Sequence, residues 1–262
     1  MAVTSDFAPI PTPLVVAHRG ASAAYPENTL ESFQGALEAG ADVIETDVRL
    51  SADGVAVVVH DQDLSRTTDG TGLVHELTLA ELKRLDASGG RGLKAEIPTL
   101  VEVLELVSGR AGINLEIKNI PGEVAFDSPK EAAVTAALTE LERTSFSGSV
   151  LVSSFNWITI ERSRELAPEV PTGFLTIAAI APAAALVYAR GHGHEFVLPS
   201  VTALVPAGEA FVREAHDAGL RVGTWTVDDP DEARTLFAWG VDAVATNDPE
   251  AILAVRDRDG DG

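Results

Sequence analysis

Short apolar runs alternate with amphipathic segments along almost the whole chain, and this alternation restricts the fold more than any other feature. Strand-like runs fall at residues 14–17, 43–50, 55–59, 113–117, 149–153, 172–175, 196–198, 222–227 and 243–245. Helical spacing, with stop signals such as Gly40, places helices from Asn28 or Thr29 to about Ala39, then at 98–107, 129–143, 158–166, 182–190, 208–218, 230–239 and 249–256. Only Ser51, Ala52, Asp53 and Gly54 separate the second run from the third, too few residues for a parallel crossover, so the third run returns as a hairpin. Eight strands then remain in βα alternation over 262 residues, which predicts an α/β fold of the (β/α)8 TIM-type barrel class, with a doubly wound open sheet as the alternative. No repeat or low-complexity linker divides the chain, so one domain over residues 1–262 is expected. The least regular stretch, about 61–96, contains a short amphipathic helix near 79–85 and is expected to be an insertion over the barrel mouth.

Composition narrows the chemistry. A net charge of −21 argues against nucleic acid or an anionic membrane as a partner, because both need a basic footprint. With no cysteine, thiolate metal sites and disulfides are excluded, and any metal must be held by oxygen or imidazole, which favours hard cations. No basic leader and no apolar run of membrane-spanning length is visible, so a cytoplasmic protein without stable membrane association is expected.

In a parallel barrel, catalytic side chains sit at the carboxyl ends of the strands. Those ends are rich in reactive groups here: His18 and Arg19 after the first run, Glu45 and Asp47 in the second, His60 and Asp61 after the hairpin return, Asn114, Glu116 and Lys118 in the next, and Trp225 in a late one. Residues two apart on a strand share a face, so Glu45 pairs with Asp47, and Glu116 with Lys118. Two arrangements satisfy that pattern, a divalent cation held by Glu45, Asp47 and Glu116, or a buried layer of ion pairs. Pairing Ser51 with Gly54 in the hairpin places Glu45 opposite His60. Two imidazoles beside carboxylates, Arg19 and Lys118 suit a reaction that removes one proton and supplies another around a phosphate ester. A serine hydrolase is the weaker reading, since no glycine elbow surrounds a serine.

These residues lie in stretches that resemble the glycerophosphodiester phosphodiesterase family: AHRG, PENT, IETDVRLSADG, VVVHD, LSRTTDGTG, ELKRLD, IPTLVEVLELV, NLEIK, LVSSF and TWTVDD, in the family's order from about residue 15 to 247. The resemblance implies a barrel with an insertion after the second histidine and hydrolysis of glycerophosphodiesters to sn-glycerol 3-phosphate and an alcohol. It implies His18 and His60 as the acid/base pair and Glu45, Asp47 and Glu116 as ligands of one divalent cation, Mg²⁺ or Ca²⁺, with Mn²⁺ also admitted. Arg19 and Lys118 would hold the phosphate. Glu27 and Asn28 would brace the site, Asn28 serving equally as a plain helix cap. Trp225 would wall the pocket or fill the barrel, and the nucleophile would be water or the neighbouring glycerol hydroxyl. The partner implied is a small-molecule glycerophosphodiester; a lipid-cleaving relative would need an apolar or basic rim that the sequence does not display. Two positions depart from the family's pattern: Asp228 stands where Asn is frequent, and Asn247 where Asp is usual.

Two other signals are set aside. His192 and His194 are spaced like ligands but precede a strand, away from the carboxylates. Asp257, Asp259 and Asp261 copy the opening of a calcium loop that stops before its glutamate, and read as an acidic terminus.

Overall fold

In the computed structural model, residues 13–92 and 94–260 are described. Eight parallel strands close into a ring: β1 (Leu14–His18), β2 (Val43–Leu50), β4 (Gly112–Ile117), β5 (Val150–Ser154), β6 (Thr172–Thr176), β7 (Phe196–Pro199), β8 (Arg221–Thr224) and β9 (Ala243–Thr246). Closure is made by β1, which pairs with β2 on one side and with β9 on the other. The barrel expectation is met and the open sheet is not. The ninth strand, β3 (Ala56–Val58), runs antiparallel to the upper end of β2.

Strand alternation sorts the side chains. Leu14, Val16, Val43, Leu151, Leu175, Phe196 and Leu198 fill the barrel interior. Outward residues such as Ile44, Ile113, Leu115 and Ile117 meet the helices α1 (Leu30–Ala39), α3 (Leu100–Val107) and α4 (Ala132–Thr144) in a second buried layer. Each fully buried aliphatic or aromatic side chain in it stabilises by about 1.5–3 kcal/mol. The remaining crossover helices are α5 (Trp157–Leu166), α6 (Pro182–His192), α7 (Val201–Asp217), α8 (Pro230–Ala238) and α9 (Pro249–Gly260). α7 is two helical segments broken at Gly208 (φ 70°, ψ −174°), just past Pro206; the sequence assignment of 208–218 matches the second, and the first, which starts at Val201 and buries Val201 and Leu204, is additional.

Between β3 and α3 lie two turns of 3₁₀ helix, Leu64–Arg66 and Val74–Glu76, and the short helix α2 (Leu79–Leu82). Val57, Val59, Leu64, Val74, Leu82 and Ile97 give this segment its own small core. It is tied to the β1–α1 loop by Arg91, which donates to Ser22 O at 3.0 Å and Tyr25 O at 2.8 Å. The acidic tail makes no loop as far as Gly260, which still belongs to α9; Asp261 and Gly262 lie outside the described residues.

Candidate active site

The carboxyl end of the barrel opens into a cavity of about 100 Å³ whose lining includes His18, Arg19, Glu45, His60, Asn114, Glu116, Lys118 and Trp225. The local fold of β1 brings two of these together. After His18 the chain turns through two left-handed residues, Arg19 (φ 59°) and Gly20 (φ 82°). Glycine is required at the second, where a Cβ would lie 2.4 Å from Ser32 Oγ and 2.6 Å from its carbonyl carbon. The turn aims the Arg19 N–H at Glu45 Oε2, 2.8 Å away.

Asn28 is not the helix cap. Thr29 caps α1, accepting from Ser32 N, while Asn28 is itself left-handed at φ 58° and turns its amide to Asp47. Its Nδ2 donates to Asp47 Oδ2 at 2.7 Å, and its Oδ1 accepts from Asp47 N at 3.3 Å. Glu27 accepts from Arg19 at 2.9 Å and from both terminal nitrogens of Arg66, at 2.8 and 2.7 Å. Arg66, in the segment after β3, also reaches Asp61, whose other oxygen lies 2.6 Å from His60 Nδ1. A chain of opposite charges thus joins the β1–α1 loop to the second histidine.

His60 reaches the cavity by a route the hairpin arithmetic misses. Ser51 pairs with Val55 across a three-residue turn closed by Gly54 (φ 78°), and the register is Val48 with Val58 and Leu50 with Ala56. Continued, that register would set His60 opposite Thr46, on the outward face. The last bond in this register is Val59 N–H to Asp47 O at 3.0 Å; beyond it Arg49 Nε captures His60 O at 2.8 Å while its terminal nitrogens grip Glu123 at 2.6 and 3.0 Å.

Glu45, Asp47 and Glu116 are all buried, and one carboxylate oxygen from each lies within 4.8 Å of the others. Asp47 is 3.0 Å from Lys118 Nζ and 3.2 Å from Arg19 Nε, and Lys118 also pairs with Glu116. Burial pushes the Asp47 carboxyl up, but Lys118 and Arg19 outweigh it and hold Asp47 far below the usual range. Glu45 goes the other way: burial, then repulsion from Asp47 and Glu116, keeps its carboxyl well above the ordinary value. Glu116 is also raised, chiefly by burial. Lys118 is raised despite its burial, by Asp47 and Glu116. His18 is lowered by burial and by Arg19, against the opposing pull of Asn247, Asp47 and Glu116. Burial lowers His60 as well.

Side chains alone do not make the centre of the site cationic. With all three carboxylates ionised, as a bound cation would require, their charge exceeds that of Arg19 and Lys118 by one, and both cations are already paired. Buried Glu45 Oε1 has no hydrogen-bond partner. An uncompensated buried ion costs several kcal/mol, and an all-oxygen cluster with a free lone pair is what a hard divalent cation takes. The residues fit such an ion, and its charge would turn the balance positive.

Trp225 walls the cavity. Its Nε1 donates to Leu198 O at 3.0 Å, and its ring meets Phe155 edge-on at 5.3 Å between centroids and 84° between planes. The two departures prove to be neighbours, Asn247 Nδ2 donating to Asp228 Oδ2 at 2.7 Å while Asn247 Oδ1 faces His18 Nδ1 at 2.8 Å. His192 and His194 stand at the opposite end of the barrel, held by Glu161 and Thr172 at 2.9 and 2.8 Å. The sequence offers Asp61 only as a polar strand end and Asn247 only as a departure from the family's pattern, gives no site signal for Arg49, and for Arg66 gives only a positive charge inside LSRTTDG.

A closed parallel barrel with paired imidazoles, a buried oxygen cluster and two anchored cations at its carboxyl end defines an enzyme of the phosphodiester-hydrolysing class. The chain belongs to the glycerophosphoryl diester phosphodiesterase family, whose profile matches residues 18–251. It is 35% identical over 246 residues to a glycerophosphodiester phosphodiesterase of Caldanaerobacter subterraneus, covering 92% of this chain and 96% of that one. A phosphodiesterase of Oleispira antarctica, solved in complex with the product sn-glycerol-3-phosphate, superposes with a TM-score of 0.84 at 34% identity, covering 94% and 97% of the two chains. The glycerophosphodiester phosphodiesterase of Thermotoga maritima superposes with a TM-score of 0.74 at 31% identity, covering 94% and 98%. Among the described residues, no helix is long and apolar enough to cross a membrane.

Proposed function

We propose that this protein hydrolyses glycerophosphodiesters to sn-glycerol 3-phosphate and an alcohol, with His18 and His60 moving the protons and Glu45, Asp47 and Glu116 holding one divalent cation. The observation that carries the reading is the common cavity, in which both imidazoles flank a carboxylate cluster that is over-charged without a cation. The product complex of the Oleispira relative supports the same substrate class. A bound divalent cation supplies Lewis-acid stabilisation of the phosphoryl oxygens. Arg19 and Lys118, fixed by Asp47, Glu27 and Glu116, line the cavity as rigid positive groups for the same oxygens. One histidine takes the proton of the attacking hydroxyl and the other returns a proton to the departing alkoxide. Acid/base assistance of this kind contributes about 10²–10⁴-fold. Trp225 and Phe155 give the organic part of the substrate an apolar wall.

Release of glycerol 3-phosphate from glycerophosphocholine, followed in chelator and then with Mg²⁺, Mn²⁺ or Ca²⁺, tests the reading. Metal-dependent release is expected; undiminished release in chelator, or none with any metal, refutes it. One observation favours a second substrate type: the loops after β4 and β6 expose Val124, Phe126, Ile177 and Ile180, the kind of rim an acylated alcohol would meet. Lysophospholipid hydrolysis measured beside the soluble diester decides between them.

A further inference from the structure

Each histidine in the cavity has its Nδ1 engaged from behind, but by groups of different charge. His60 Nδ1 faces the carboxylate of Asp61 at 2.6 Å, whereas His18 Nδ1 faces the neutral amide of Asn247 at 2.8 Å. That amide is not free to turn. Asp228 grips Asn247 twice, its Oδ1 accepting the backbone N–H at 2.7 Å and its Oδ2 accepting Nδ2 at 2.7 Å. Thr246 Oγ1 adds a third donor to Asp228 Oδ1 at 3.0 Å. Flipping the amide would set two oxygens face to face with no proton between them, so the NH₂ must look toward Asp228 and the carbonyl toward His18. Ser22 Oγ, 2.9 Å from Asn247 Oδ1 and 2.8 Å from His18 O, closes the other side of the carbonyl.

We propose that Asn247, locked by Asp228, is a positioning residue that fixes His18 in the Nδ1–H tautomer and so presents a bare Nε2 to the cavity. An amide carbonyl can only accept, so His18 Nδ1 must donate, and in a neutral imidazole the unprotonated nitrogen is then Nε2. The grip is complementary as a pair: one carboxylate and one amide, where two carboxylates would repel. The role depends on the proposed acid/base function of His18 but is readable without it, because a tautomer is a property of the resting protein.

The test is ¹⁵N NMR of histidine-labelled full-length protein with Mg²⁺ present, the His18 signals being assigned by their loss in His18→Ala. Wild-type His18 above neutral pH is expected to show a protonated Nδ1 and an unprotonated Nε2; the opposite tautomer overturns the proposal. Asn247→Ala removes the acceptor, so the two tautomers should mix and kcat should fall about 10–100-fold with KM little changed. Asn247→Asp sets a carboxylate against Asp228 and should lose activity comparably. The exchange Asp228→Asn/Asn247→Asp rebuilds one amide and one carboxylate, and should regain most of the lost kcat together with the single Nδ1–H tautomer. An exchange variant no better than Asn247→Asp, or an Asn247→Ala protein with wild-type kcat, refutes the assignment. Full turnover in His18→Ala would instead remove the acid/base role of His18 and leave the tautomer result standing.

Discussion

Replacing Glu45 by glutamine separates the two demands placed on the carboxylate cluster. Without a cation, Glu45 is the strained member: its carboxyl is raised by burial and by Asp47 and Glu116, and its Oε1 has no partner. A carboxyl raised in the folded state keeps a proton that the unfolded chain releases, so its ionisation works against folding as pH climbs past the ordinary glutamate value of about 4.3. Glutamine removes that charge and can keep the contact to Arg19 N, so metal-free Glu45→Gln should melt at or above the wild-type temperature near neutral pH. A ligand at one hundred times its Kd stabilises a protein by about 2.7 kcal/mol. For a domain of this size ~2–4 °C accompany each kcal/mol, so saturating Mg²⁺ or Ca²⁺ should raise the wild-type Tm by roughly 5–11 °C. The Glu45→Gln protein, with one charged ligand fewer, should lose most of that rise. Differential scanning calorimetry of both proteins, in chelator and at saturating metal, reads all four values. A Glu45→Gln protein that melts well below wild type without metal, or that keeps the full metal-induced rise, refutes the account of the cluster as an over-charged cation site.

Further expectations concern single residues. His60→Ala should lower kcat by about 10²–10⁴-fold while leaving the metal-induced rise in Tm intact, and loss of both would move His60 into the metal site. Gly20→Ala forces a Cβ against the Ser32 backbone at φ 82° and should destabilise by about 1–3 kcal/mol, seen as a lower urea midpoint; an unchanged midpoint would mean the turn can relax. His194, pushed down to about 4 mainly by burial, stays neutral when the unfolded chain is already protonated. Stability should therefore fall as pH drops from about 6.5 toward 4, and His194→Asn should flatten the fall; an unaltered pH profile of Tm would assign it to other groups.

The fold was legible because strand and crossover signals are local. Val43–Leu50 is read to the residue, and most other elements lie within a few residues of their sequence assignments. The inward set of Glu45, Asp47, Glu116 and Lys118 follows from alternation alone. What stayed hidden depends on backbone geometry that residue types do not report. Gly54 closes a three-residue turn and shifts the hairpin by one position, and the ladder then stops early, so His60 arrives by way of Arg49 rather than by pairing. Asn28 resembles a helix cap in every local respect; only the left-handed turn at its own φ sends the amide to Asp47. The link from Asn247 to His18 spans 229 positions and is created by ring closure, so no window of sequence contains it.

That closure also governs when the molecule can work. His18 lies on β1 and the residue that orients it follows β9, so this contact joins the earliest-made and the latest-made of the described barrel strands. A nascent or prematurely terminated chain carrying every carboxylate and both histidines would still hold an unfinished ring with one imidazole unsupported. On the roles proposed for His18 and Asn247, turnover requires the closed ring, and two separately expressed pieces of the barrel would gain it only by reassembling across the β1–β9 seam.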